Sequence, residues 1–202
     1  MEFIIDDLNV DIFFIQESKL YKKGRVKFNR SDEFDIYELN RKDKMGGGLV
    51  IGALKELKYV VVREGNDDLE LLVIEIEVCK LKVRCVNGYG PQNYDSVDKK
   101  DKFWSFLDSE VKDAFKNWAF FLCHMDGNLW AGPHIVKGDP HDQNSNGKLL
   151  KNFLCENPHL TIVNTLDKCE GVITRERSTV NWVGKICPGF FHRMQQVSKH
   201  SD

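Results

Sequence analysis

The sequence predicts a layered α/β or α+β domain, and three observations point to this class. Short apolar runs rich in β-branched and aromatic residues, such as VDIFFIQ and WAFFLC, are typical of strands covered on both faces. Two amphipathic segments with helical spacing lie among these runs. No repeat, low-complexity tract or linker interrupts the order, so residues 1–202 are expected to form a single domain.

The predicted elements follow from these patterns. Strands are expected at residues 10–16, in the GGGLVIGAL run from 46, and at 70–78, 80–87, 118–123, 160–164 and 180–183. The strands at 70–78 and 80–87 are expected to be antiparallel neighbours. Helices are expected at residues 97–115 and 146–157, the second with Asn146 as its N-cap. Trp130, in the loop between strand and helix, is expected to be a core residue, with a DNA-facing aromatic as the alternative.

The composition is that of a globular protein in water, with 42% hydrophobic and 30% charged residues. No apolar run approaches the roughly 18 residues needed to span a membrane. The start, MEFIIDDLNV, lacks the basic region and long apolar core of a signal peptide. We therefore expect an intracellular protein, nuclear or cytoplasmic, with no membrane partner. Six cysteines without a CxxC pair are expected to be buried free thiols, with disulfides or zinc ligands as the alternatives.

Local basic patches would have to supply any attraction to nucleic acid, because the net charge is only −2. The segment YKKGRVKFNR at residues 21–30 carries Lys22, Lys23 and Arg25. It is expected either to follow a DNA backbone or to be the exposed edge of a hairpin. Arg175 and Arg177 are expected to contact phosphate or to lie on a solvated face.

Polar side chains close three of the predicted strands. They are Glu17 after DIFFIQ, Asn87 and Tyr89 in KVRCVNGY, and Asp126 and Asn128 after WAFFLCHM. Sites in layered α/β folds form where strand ends and their loops gather, so we expect these side chains to converge. In extended chain Asp126 and Asn128 would share one face. Such a set suits a hard divalent cation such as Mg²⁺ and the transfer of a phosphoryl group.

Several motifs in a fixed order resemble the endonuclease/exonuclease/phosphatase superfamily. They are QESK, GGGLVI, VNGYGPQ, MDGNLWAG, NSNGKLLKNFL, LTIVNT and GVITR. The resemblance extends over about residues 8–183 and is greatest to the endonuclease domains of non-LTR, LINE-type retrotransposons. It implies a two-sheet α/β sandwich, cleavage of phosphodiester bonds in DNA, and Mg²⁺ as the cofactor, with Mn²⁺ as the alternative.

The resemblance also implies a role for each strand-end residue. Glu17 matches the glutamate that binds the metal in the family. Tyr89 matches the tyrosine that contacts the scissile phosphate. Asp126 matches the aspartate that positions or deprotonates the attacking water, and Asn128 matches the asparagine that steadies the phosphate.

The sequence departs from the family pattern at three places. The family's first strand, with an asparagine that helps bind metal, has no counterpart here, and neither has its terminal Ser-Asp-His motif. In STVNW, Asn181 replaces an aspartate, so Asn181 is expected only to support the site. We therefore expect a domain incomplete at both ends. Its activity is expected to be weak or lost, because removing an acid–base group costs roughly 10²–10⁴-fold.

Three functions remain open from the sequence. The first is a Mg²⁺-dependent DNA endonuclease domain of retrotransposon origin, acting as a monomer on DNA. The second is an inactive relic that uses the same fold to bind nucleic acid or protein. The third is a phosphatase that acts on a small phosphate ester.

Overall fold

The computed structural model describes residues 10–19, 30–40, 47–64, 69–133, 135 and 142–163. The chain groups into two compact units, Met1–Asn128 and Leu129–Asp202. The prediction of a single domain stays a prediction. None of the helices in the described ranges is long and apolar enough to cross a lipid bilayer.

Seven strands and two helices are found in the described residues. In chain order they are β1 (Ile12–Gln16), β2 (Phe34–Leu39), β3 (Leu49–Leu54), β4 (Lys58–Glu64), β5 (Leu71–Val78), β6 (Leu81–Tyr89), α1 (Val97–Lys116), β7 (Ala119–Asp126) and α2 (Ser145–Glu156). One sheet has the strand order β1-β3-β2 and the other has the order β4-β5-β6-β7. The strands pair antiparallel except β6 and β7, which are parallel and are connected through α1.

The four-stranded sheet is covered on both faces at its centre. The first six residues of β5 are all buried, which agrees with their nearly continuous apolar sequence. Residues of β6 alternate between two environments, because successive side chains of a strand point to opposite faces. Asn87 reaches the three-stranded sheet, where its Nδ2 donates to the carbonyl oxygens of Ile15 (2.9 Å) and Val50 (2.8 Å). Arg84, three residues earlier, faces α1 instead.

Helix α1 is attached to this sheet by a buried ionic cluster as well as by apolar packing. Arg84 bonds to Glu75 on β5 through Nε at 2.9 Å, and to Glu110 and Asp113 on α1 at 2.8 and 2.9 Å. Ser96 caps the helix by accepting a hydrogen bond from the backbone of Lys99 at 3.2 Å.

The three-stranded sheet shows one close approach that only glycine permits. Phe13 on β1 pairs with Gly52 on β3. A Cβ atom on Gly52 would lie 2.1 Å from Cζ of Phe13, so the aromatic ring covers the bare backbone of the central strand.

In the second unit, α2 begins one residue earlier than expected. Asn144, in extended conformation, accepts a hydrogen bond from Gly147 N at 2.8 Å and is the N-cap. The assignment of Asn146 as the cap was wrong, because Asn146 is already helical and buried. Trp130 is exposed in this unit, so the expectation of a core tryptophan was also wrong.

Most predicted strands are confirmed, but two were missed and one is wrong. The antiparallel pairing of β5 with β6 is as expected. Strands β2 and β4 were not predicted; both lie at sheet edges within the described residues, where charged residues interrupt the apolar pattern. The strand predicted at 160–164 is the wrong one, since the described residues 160–163 pair with no other strand. The strand predicted at 180–183 lies outside the described residues.

Candidate active site

The described structure brings together the four side chains to which the sequence assigned catalytic or metal-binding roles. We call Glu17, Tyr89, Asp126 and Asn128 the strand-end cluster. The parallel pairing of β6 with β7 sets Tyr89 directly beside Asp126 in the ladder. Glu17 follows β1 in the other sheet, and Tyr89 Oη donates a hydrogen bond to its Oε1 at 2.8 Å. Residues from both sheets of the first unit therefore meet at one point.

Asp126 and Asn128 meet by a different geometry from the one expected. Strand β7 ends at Asp126, and Asn128 has a φ of 47°, so the two side chains are not related by strand alternation. Instead, Asn128 N donates to Asp126 Oδ1 at 3.0 Å, as in an Asx turn. The amide of Asn128 then donates to the carbonyl oxygen of Gly90 at 2.7 Å, which ties the turn to the end of β6.

The surroundings of Tyr89 keep its phenol protonated. Partial burial raises the pKa of Tyr89 above its ordinary value, and the hydrogen bond to Glu17 and its charge raise it further. The hydrogen bond with Asn128 acts in the opposite direction, while the charge of Asp126 again raises the pKa. At neutral pH Tyr89 is therefore a hydrogen-bond donor, as an interaction with a phosphate oxygen requires.

A second group of polar side chains, which we call the polar layer, supports the cluster. It consists of Gln16, Asn87 and His124. Gln16 Nε2 lies 2.5 Å from Asn87 Oδ1 and 2.6 Å from His124 Nδ1. Asn87 and His124 are adjacent in the β6–β7 ladder. Asn87 stands two residues before Tyr89, and His124 stands two residues before Asp126. Because side chains two apart in a strand point to the same face, the polar layer lies on the same face of the sheet as the cluster.

His124 is neutral in this layer. Burial lowers the pKa of its imidazole, with the charge of Asp126 acting in the opposite direction. The ring stacks on Phe14 with centroids 5.5 Å apart. A neutral ring protonated at Nε2 accepts the hydrogen bond from Gln16, so His124 holds the side chain of the residue before Glu17.

Gln92 was not identified from the sequence, although the motif VNGYGPQ contains it. Its Nε2 donates to Tyr89 Oη at 3.1 Å, so the phenol oxygen lies between a carboxylate acceptor and an amide donor. The signal available in the sequence was only its position, three residues after Tyr89 in a turn that contains proline.

The donor set fits a Mg²⁺ ion that also binds substrate. In the described ranges no group of three or more His, Cys, Asp or Glu residues could hold a metal by protein ligands alone. Mg²⁺ does not need such a group, because it commonly binds through one or two carboxylates and completes its octahedron with water and phosphate oxygens. Glu17 and Asp126 are both exposed and both act on Tyr89, so two carboxylates are available at this place.

Several predicted residues lie outside the described residues. They are Lys22, Lys23, Arg25, Arg175, Arg177 and Asn181. Their expected roles in DNA binding and in support of the site remain predictions.

No family model matches the chain, and no curated protein matches it by sequence. Solved structures do. The AP endonuclease from Archaeoglobus fulgidus is 18% identical, with a TM-score of 0.52 over 76% of this chain and 63% of that one. The endonuclease domain of TRAS1, a telomere-specific non-LTR retrotransposon, is 14% identical, with a TM-score of 0.52 over 77% of this chain and 63% of that one.

A third similar structure is the 3′-5′ exonuclease NExo from Neisseria meningitidis, 18% identical, with a TM-score of 0.51 over 75% of this chain and 62% of that one. The chain thus spans less than two thirds of each of these structures. At such identities the likeness establishes the fold. The chain has the two-sheet α/β sandwich of the endonuclease/exonuclease/phosphatase superfamily, as the motifs predicted.

Proposed function

We propose that this chain is a Mg²⁺-dependent DNA endonuclease domain that hydrolyses a phosphodiester bond. The observation that carries this proposal is the meeting of Glu17, Tyr89, Asp126 and Asn128 at one point of the first unit, although they come from three separate segments of sequence. Polar residues that only end a strand in solvent would not be expected to form a hydrogen bond between the two sheets, as Tyr89 and Glu17 do.

Three residues of the strand-end cluster have separate roles in the hydrolytic step. Asp126, an exposed carboxylate, accepts the proton of the attacking water as the new oxygen–phosphorus bond forms. Tyr89, held protonated, directs its single O–H to a non-bridging phosphate oxygen in place of Glu17. Asn128 adds a neutral amide donor beside it, and the bond from phosphorus to the leaving sugar oxygen then breaks. The leaving oxygen takes its proton from solvent.

Glu17 is the residue proposed to hold the metal, with Asp126 nearby. A bound Mg²⁺ or Mn²⁺ would neutralise charge on the phosphate and on the leaving oxygen. The charge of the cluster supports this assignment. Two carboxylates without a cation would repel a phosphodiester, so the site needs a positive ion before a polyanion can enter.

DNA as the substrate, and a retrotransposon reading frame as the origin, are the finer parts of the proposal. They are supported by the order of motifs from QESK to GVITR and by the likeness in fold to the TRAS1 endonuclease domain and to an AP endonuclease.

The test is the nicking of supercoiled plasmid by the purified chain, with Mg²⁺ or with EDTA. We expect nicking that requires Mg²⁺ and falls by roughly 10²–10⁴-fold in Asp126→Ala, because the group that accepts the proton is lost. The matched control is Asp98→Ala. Asp98 is an exposed carboxylate on α1 whose ion pair is with Lys102, so its removal should leave the rate unchanged.

Two outcomes would contradict the proposal. If the folded chain binds plasmid without nicking it, the chain is a nucleic-acid-binding module and not a nuclease. A chain that releases phosphate from a small monoester, but does not nick plasmid, would instead be a phosphatase.

A further inference from the structure

We propose that Tyr94 stacks on an unpaired nucleobase of the substrate, beside the strand-end cluster. This inference rests on the proposed function, because it assigns the base-binding part of the same site. Tyr94 is 86% exposed, and among the large hydrophobic residues described only Trp118, at 92%, is more exposed. A ring so exposed is available to a flat partner.

The loop that carries Tyr94 is fixed by hydrogen bonds. Gln92 N donates to Asp95 Oδ2 at 2.7 Å, and Asp95 N donates back to the carbonyl oxygen of Gln92 at 3.0 Å. Lys100 Nζ, from α1, donates to the carbonyl oxygen of Asn93 at 2.6 Å. The backbone on both sides of Tyr94 is thus held in place. The loop backbone therefore does not have to become ordered when the ring binds a flat partner.

The same loop is continuous with the strand-end cluster. Gly90 N donates to the carbonyl oxygen of Asp126 at 2.7 Å, and Gln92 Nε2 donates to Tyr89 Oη at 3.1 Å. Tyr94 follows Gln92 by two residues, so their Cα atoms are at most about 7 Å apart. A nucleotide next to a phosphate held by Tyr89 would therefore be within reach of the Tyr94 ring.

An unpaired base is the partner that fits this ring. Every base has a π-face, and stacking on an aromatic side chain tolerates any sequence. Inside a duplex both faces of a base are covered by its neighbours. Tyr94 can therefore stack only on a base that has left the duplex stack. Val97, the first residue of α1 and three residues after the tyrosine, is also exposed, at 72%.

The test measures binding without chemistry. Single-stranded DNA containing 2-aminopurine is titrated with the purified chain in Ca²⁺, which binds carboxylates without taking the octahedral geometry of Mg²⁺, alongside the same sequence as a fully paired duplex. Stacking on Tyr94 should quench the fluorescence of 2-aminopurine. In Tyr94→Ala we expect the affinity for the single strand to fall about 5- to 100-fold, from the usual strength of one base–aromatic stack, with loss of the quench. Affinity for the duplex should change less than about twofold.

Two variants act as controls. Tyr94→Phe keeps the ring and should retain both affinity and quench. Trp118→Ala removes the most exposed aromatic side chain of the described ranges. Trp118 stands before β7 at the end opposite Asp126, roughly 25 Å away at the usual rise of a strand. Its replacement should leave binding unchanged. Because Tyr94 and Trp118 are exposed, circular dichroism should show both variants folded.

The outcomes separate this inference from the proposed nuclease activity. Equal affinity of Tyr94→Ala and the wild type for the single strand, or no quench in the wild type, would overturn the stacking proposal, even if plasmid nicking depends on Asp126. Binding and quench that depend on Tyr94 would support it, even in a chain that nicks nothing.

Discussion

Asn87 illustrates how a single buried amide can join two sheets. Its side chain is 0% exposed, donates to carbonyl oxygens of two different strands of the three-stranded sheet, and accepts from Gln16. These three hydrogen bonds of the Asn87 side chain all cross the interface between the two sheets. The catalytic geometry depends on it indirectly, because Tyr89 follows two residues later on the same strand.

Replacing Asn87 with alanine should therefore destabilise the chain strongly. The change would leave two backbone carbonyl groups without this donor and would remove one of the two acceptors of the Gln16 amide. Each unsatisfied buried group costs about 1–3 kcal/mol. We expect the free energy of unfolding to fall by about 2–5 kcal/mol in urea denaturation. Asn152→Ala is the control, because Asn152 is exposed on α2 and should change the stability by less than about 0.5 kcal/mol. Equal effects of the two changes would show that Asn87 does not join the sheets.

Two members of the strand-end cluster share an uncommon backbone conformation. Glu17 has a φ of 50° and Asn128 has a φ of 47°, in the left-handed region that residues other than glycine adopt at a cost of roughly 1–2 kcal/mol. Asn128 is better suited to it than Glu17, because asparagine tolerates this region through local hydrogen bonds. At both positions the backbone turns sharply just after a strand and leaves the side chain beside Tyr89.

At the scale of whole elements, the contact of α1 with its sheet encloses a buried ionic cluster. Arg84 is enclosed between β5 and α1, and its partners Glu75 and Glu110 are also buried. Such an ionic cluster contributes little compared with apolar packing, but it is costly to break, because the remaining charges lose their partner.

Arg84→Met should consequently cost about 3–5 kcal/mol in the free energy of unfolding, since Glu75 and Glu110 would be left buried without a cation. The triple variant Arg84→Met/Glu75→Met/Glu110→Met removes the whole buried set and should recover most of this loss. Urea denaturation of the two variants makes the comparison. A triple variant as unstable as the single one would show that packing around Arg84, and not its charge, holds the helix.

The sequence predicted the strand-end cluster better than it predicted the polar layer, for a physical reason. A polar residue after an apolar strand is visible in the sequence, so Glu17, Tyr89 and Asp126 could be placed at strand ends. The contacts of Gln16 with His124 depend on which faces of the two sheets meet. A local pattern in the sequence does not indicate how the sheets meet. Asn128 was placed correctly beside Asp126, but by a turn and not by strand alternation.

At the scale of the whole molecule, the four cysteines in the described residues divide into two classes that the sequence did not separate. All six were expected to be buried, yet Cys79 and Cys155 are exposed. Cys85 is buried, and Cys123 is half-buried with an enclosed thiol. Burial raises the pKa of the Cys85 thiol to about 12, and it does the same for Cys123.

Brief treatment of the native chain with iodoacetamide at mildly alkaline pH should therefore label Cys79 and Cys155 and spare Cys85 and Cys123. The thiolate is the reactive form, and a raised pKa leaves little of it. Peptide mapping by mass spectrometry gives the labelled positions, and the urea-denatured chain, in which all four should react, is the control. Rapid labelling of Cys123 in the native chain would contradict the enclosed position of its thiol.

The distance along the chain between partners in the site has a consequence for the order of events during folding. Gln16 and Asn87 are 71 residues apart, Glu17 and Tyr89 are 72 apart, and Gln16 and His124 are 108 apart. Contacts of such long range form slowly, because a large loop must close before any of them is made. On a ribosome, the segment with Glu17 would wait until β7 had been synthesised, so the site would be among the last parts of the first unit to assemble.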